Sequence, residues 1–92
     1  MRFEWDPAKA AANRRAHGVT FAEAVTALED TFALTREDPD AVTEKRFVTL
    51  GMTDQAKLLV VVYAYRGHDQ IRIISAWKAS KPQRKSHEEN RS

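Results

Sequence analysis

The rhythm of apolar and polar positions changes along this chain, and the changes mark its elements. Met1, Phe3 and Trp5 alternate with Arg2 and Glu4, the period of a short strand. Asp6-Pro7 then supplies a helix cap and a proline at the first helical position, ahead of the alanine-rich run to Ala16. His17-Gly18 ends that helix, because glycine accepts the left-handed terminal conformation cheaply. Thr20-Phe21-Ala22-Glu23 has capping-box spacing and opens a second helix, with Phe21, Ala24, Val25 and Leu28 on one face and a stop near Asp30.

Beyond Asp30 the pattern reads as sheet. Phe32–Thr35 is a weak strand before an acidic loop, Arg36–Asp40; Lys45–Met52, Leu58–Tyr65 and Ile71–Trp77 are stronger, rich in β-branched and aromatic residues. Their short polar connections predict antiparallel neighbours, since a parallel return needs a long crossover. The run Leu58-Leu59-Val60-Val61-Val62-Tyr63 is apolar on both sides, which predicts an interior strand. Trp5, Phe21, Leu28, Phe47, Val60 and Val62 are expected in the core, as are Phe3 and Phe32. After Ala79 no large apolar residue occurs, so a helix over Pro82–Asn90 either lies peripheral or frays. The expected fold class is α+β, one domain over 1–92: two N-terminal helices on one face of a small antiparallel sheet, with a polar C-terminal helix in the segment 80–92. The other face is left open and is rimmed by arginines.

Composition narrows the chemistry. The chain has 92 residues, 42% of them hydrophobic and 30% charged, as expected of a small globule. It has no cysteine, which excludes disulfide scaffolds, thiolate metal sites and cysteine nucleophiles. A charged N-terminus and an apolar run too short to span a bilayer point to the cytoplasm, with no membrane partner. Net charge is +2, but Phe21–Glu44 carries seven acids against Arg36, and Arg66–Ser92 carries seven bases against three acids. The basic third can attract phosphate, and the acidic block a basic partner.

There is no P-loop, dinucleotide turn, zinc-ligand spacing or nucleophile elbow, so neither a cofactor nor a metal is expected. Asp38 and Asp40 flank Pro39 as a solvated turn, with magnesium binding the lesser reading. What remains is cationic: Arg46, Arg66 and Arg72 near strand ends, then Lys78, Lys81, Arg84 and Lys85. Arginine's planar fork suits phosphate oxygens. Cutting RNA requires a 2′-OH to lose a proton, charge on phosphorus to be stabilised and a leaving oxygen to be protonated. His87, Lys78 and Glu44 are the groups available to move protons. The same arginines equally fit rim charges of a sheet, paired with Glu44, Asp54 or Asp69. Tyr63, Tyr65 and Trp77, beside basic residues, are open to stacking on RNA bases, whereas His17 suits a helix C-terminus.

Three stretches carry a family resemblance. They are Phe3-Glu4-Trp5-Asp6-Pro7-Ala8-Lys9, continuing through Asn13 to His17-Gly18-Val19-Thr20-Phe21; Glu44-Lys45-Arg46-Phe47 with Thr49-Leu50-Gly51 and Leu58–Tyr63; and Arg66-Gly67 with Ile71-Arg72-Ile73-Ile74-Ser75-Ala76 and Lys78-Ala79-Ser80. In this order and spacing the chain resembles the BrnT family of ribonuclease toxins, most weakly over Leu34–Thr43 and after Gln83. The resemblance implies a RelE-like fold and a metal-independent endoribonuclease that inhibits translation. It also implies a BrnA-like antitoxin with a ribbon-helix-helix domain, through which the pair reaches operator DNA. Carried over residue by residue, the functional positions are Arg46, Arg66, Arg72 and Lys78. Two departures stand out: Trp77 occupies a position where members usually carry arginine, and His87 replaces a C-terminal aromatic. If that arginine is catalytic, the chain is a weakened nuclease, or an inactive module that pairs with its antitoxin and co-regulates the operon.

Overall fold

Asp6 and Pro7 start the first helix where the local sequence places them. In the computed structural model, which describes residues 1–91, Asp6 accepts from the Ala8 N–H at 2.8 Å and Pro7 opens α1 (Pro7–His17). Gly18 closes it at φ 69°, its N–H bonded to the Arg14 carbonyl, a conformation glycine takes without a side-chain clash. The second helix, α2 (Phe21–Leu28), opens on a complete capping box. Thr20 Oγ1 accepts from the Glu23 N–H at 3.1 Å, and the Glu23 carboxylate accepts from the Thr20 N–H at 2.8 Å.

Lys57 adds an ion pair to Glu23 at 2.9 Å. The Thr20 N–H first, then Lys57, hold the Glu23 carboxyl at a pKa of about 2 instead of 4.5. A carboxyl depressed in the fold contributes stability above its unfolded pKa, and that stability is lost as pH falls from about 4.5 toward 2. Urea melts across this range should show Glu23→Gln about 1–2 kcal/mol less stable than the parent at pH 7, after allowing for solvent screening of Lys57, with the two curves drawing together as pH falls to about 2. A gap independent of pH would assign the loss to packing instead.

Five strands form one sheet: β1 (Arg2–Glu4), β2 (Leu34–Glu37), β3 (Phe47–Met52), β4 (Leu58–Arg66) and β5 (Gln70–Lys78), in the order β1-β5-β4-β3-β2. The apolar run is the central strand, antiparallel to β3 and β5. The sheet is mixed, because β1 pairs parallel with β5 through Arg2–Glu4 and Gln70–Arg72. The second strand begins two residues later than expected. Asp30 Oδ1 accepts from the Phe32 N–H, turning the chain there and leaving Phe32 42% exposed, outside the core. Consequently Arg36 and Glu37, expected in a loop, lie in β2.

Leu59, Val61 and Tyr63 of β4, with Ile71, Ile73 and Ala76 of β5, meet Val19, Phe21, Ala24 and Ala27 to form the core. Val60 and Val62 are buried as expected, while Trp5, Leu28 and Phe47 pack against the core half-buried. Gly51 lets β3 pass beneath α2, where any Cβ would collide with the Ala27 carbonyl. Past Arg72 the edge of β5 has no strand partner, and the buried Asn13 supplies one. Its amide accepts from the Ala76 N–H at 3.1 Å and donates to the carbonyls of Ala76 at 2.8 Å and Val19 at 3.1 Å. Asn13→Ala orphans these buried groups and should cost about 2 kcal/mol in a denaturant melt. An unchanged midpoint would show that water replaces the amide freely.

The C-terminal helix, α3 (Lys81–Arg91), borders the opposite face of the sheet. Lacking an apolar stripe, it docks on polar anchors. His87, 1% exposed, places Nε2 at 2.7 Å from Asp30 Oδ2, and Asn90 donates to the Phe32 carbonyl at 2.9 Å. Burial works to raise the Asp30 carboxyl pKa, but the N–H groups of Met52 and Phe32 together with His87 outweigh it and hold the group below its usual range.

Candidate functional site

Strand register sorts the side chains of the second face into rows. Leu34, Leu50, Val60 and Trp77 form one row; Arg36, Val48, Val62 and Ser75 form the next. Continuing the β3–β4 register by one residue puts Arg46 beside Ala64, whose neighbour on β5 is Arg72, itself beside Glu4 of β1. The Asp38 N–H bonds the Arg46 carbonyl at 2.7 Å, extending the ladder to this row. Arg66 follows two residues along β4, opposite Gln70. The apolar rows floor a groove of about 490 Å³, walled by Gln83 and Ser86 of α3 and by Arg36 of β2.

Arg46 and Arg72 are separated by two strand spacings, about 10 Å between backbones, so their guanidinium groups can converge on one phosphate over Ala64. Neither they nor Arg36 and Arg66 forms an ion pair among the described residues. Rim pairing with Asp69 is not available, because that carboxylate faces Arg2 at 3.8 Å. Four arginines without ion pairs on one sheet face make a strongly anion-attracting surface.

The other candidates separate from this group. Trp77 lines the far end of the same groove, half-buried, five residues along β5 from Arg72. Lys78 pairs with Leu59, whose side chain belongs to the helix-bearing face, and lies with Ala16 and His17 at the end of α1. His87 is enclosed beneath α3 against Asp30, so its imidazole anchors a helix and does not face the arginines. Asp38 is occupied in its own turn, Oδ1 accepting from the Asp40 N–H at 3.0 Å. Two residues escaped sequence reasoning. Arg36 was hidden in what reads as an acidic loop. Glu4 shows its outward direction in the alternation of β1, but its neighbour Arg72 depends on a pairing 68 residues away in sequence.

The chain as a whole resembles known proteins. The family model described as "Ribonuclease toxin, BrnT, of type II toxin-antitoxin system" matches residues 5–83. The chain belongs to the BrnT family. Among solved structures, the 1.1 Å crystal structure of the Brucella abortus ribonuclease toxin BrnT is similar, with a TM-score of 0.66 and 23% identity. The match covers 88% of this chain and 99% of that one, and at this identity it speaks to the fold alone. No match is found among curated proteins. A type II family brings with it an antitoxin partner, and the α+β architecture agrees with the Brucella BrnT fold. Among the described residues no helix is long and apolar enough to cross a membrane.

Proposed function

We propose that this BrnT-family chain is a cytoplasmic, metal-independent endoribonuclease that inhibits translation by cutting RNA, with Arg46, Arg72 and Arg66 as its phosphate-binding group. The observation that carries the reading is the convergence of arginines without ion pairs on the sheet face left open by α1 and α2, beside the carboxylate of Glu4. In the reaction the ribose 2′-oxygen bonds to phosphorus as the bond to the 5′-oxygen breaks. Arg46 and Arg72 hold the non-bridging oxygens as charge builds, Glu4 takes the 2′-OH proton, and the departing oxygen is protonated from solvent. The products are a 2′,3′-cyclic phosphate and a 5′-OH, with no cofactor required.

An antitoxin with a ribbon-helix-helix domain neutralises the site and carries the pair to operator DNA. The groove is apolar on its floor, with Arg36 and Asp38 at its side and the arginine row beyond it, which suits an antitoxin segment bearing apolar and acidic groups; the charged contacts make that binding weaken with added salt. Purified protein incubated with total RNA in excess chelator tests the reading. Cleavage to the stated ends, suppressed when the antitoxin is added, is the expected result; no cleavage, or cleavage only with magnesium, overturns it. Trp77 favours a second reading, in which the chain keeps the fold to bind its antitoxin and regulate the operon but cuts RNA weakly or not at all.

A further inference from the structure

Beyond Arg72, the free edge of β5 carries one large aromatic side chain that the core does not absorb. Trp77 is half-buried and lies outside the core cluster. One side of the residue lines the groove, and the other lines an open hollow of about 630 Å³ shared with Ala16, His17 and Lys78. The imidazole of exposed His17 stands 6.1 Å from the indole at an interplanar angle of 46°. Both rings border the same hollow, so a flat ring entering it can lie against the indole.

Among the described residues no acidic side chain lines the hollow. The last turn of α1 carries Arg14, Arg15 and His17, and Lys78 is exposed across the hollow. None of Arg14, Arg15 and Lys78 forms an ion pair among the described residues. Aromatic faces with free cations beside them are what an unpaired base and its flanking phosphate require, because every base has a stacking face and every nucleotide an anion.

We infer that Trp77, His17 and Lys78 form a base-binding subsite for single-stranded RNA, in which an unpaired base stacks on the indole while Lys78 meets the adjoining phosphate. The inference rests on the ribonuclease reading and extends it. A strand held at Arg46 and Arg72 continues along the groove and places a base a few nucleotides away at the sheet edge. Trp77 thus contributes affinity and positioning at a distance from the scissile bond.

The test uses the full chain carrying Trp5→Phe, so that Trp77 is the sole tryptophan, and a 2′-O-methyl oligoribonucleotide, which binds without being cut. Saturable quenching of Trp77 emission is expected, matching the binding curve from fluorescence anisotropy. Trp77→Ala should weaken binding by about tenfold or more, Trp77→Phe should retain most of the affinity, and His17→Ala should fall between. An oligomer of abasic residues should bind with an affinity indifferent to Trp77→Ala. Thermal melts guard against misfolding of Trp77→Ala, and surface-exposed His17→Ala gives an independent reading. If the parent binds RNA but neither variant loses affinity and the indole is not quenched, the subsite is overturned and the ribonuclease reading stands. Quenching by the antitoxin but not by RNA also overturns it, assigning the hollow to protein docking. If the parent binds no RNA at all, both fall.

Discussion

Replacing Arg46 and Arg72 together by alanine should lower RNA cleavage by about a thousandfold while leaving the fold intact. Both stand in one row across the second face of the sheet, on either side of Ala64. With no carboxylate paired to either, their removal leaves no buried charge behind. Each fixed donor aimed at developing phosphate charge is worth about a hundredfold or more. Two that clamp the same group need not multiply fully, so a single variant can approach the loss seen in the double. Lysine should restore only part of the rate, because a point charge cannot reproduce two parallel donors. Initial rates on one defined RNA, with circular-dichroism melts of each variant, decide the matter. A double variant that still cuts within tenfold of the parent would move the reaction centre off this face.

The reasons these residues were legible differ from one to the next. Capping chemistry is local, so Asp6, Gly18 and the Thr20–Glu23 box announce both helices before any tertiary contact is known. The central place of β4 follows from an apolar run that needs cover on both sides. Phe32 was misplaced because the Asp30 side chain takes its backbone N–H and makes a turn where hydrophobicity alone suggests a strand. The anchoring role of His87 was hidden for a related reason. Its helix has no apolar stripe, and a polar anchor depends on Asp30, 57 residues earlier. In the site, the arginines and Lys78 were recognisable in the sequence, but placing Arg46, Arg66 and Arg72 on one sheet face and Lys78 on the other required strand register. One residue's shift along β5 sends a side chain to the other face; Trp77 and Lys78 are neighbours in sequence and lie on opposite faces of the sheet.

Trp77→Arg should raise the cleavage rate at saturating RNA by up to about a hundredfold. Position 77 shares the groove face with Arg72 and lies opposite Val60, in the row next to Arg36, Val62 and Ser75. An arginine laid back along the floor over Ser75 would bring a further guanidinium toward the phosphate held by Arg46 and Arg72. Tryptophan offers one N–H and no charge, so it cannot take that part. The exchange has a cost on the binding side. Loss of the indole removes a stacking surface, so the concentration of RNA giving half-maximal rate should rise even as the maximal rate increases. Stability should fall by about 1 kcal/mol, because a half-buried ring leaves the groove floor. Trp77→Leu separates the effects, keeping apolar contact without charge, and should bind RNA more weakly with no gain in maximal rate. Single-turnover cleavage by the three proteins in chelator, followed over a range of RNA concentrations, resolves rate from affinity. A gain shared by leucine and arginine would mean that the indole obstructs the groove. No gain in either would show that the charge missing at position 77 does not limit this nuclease.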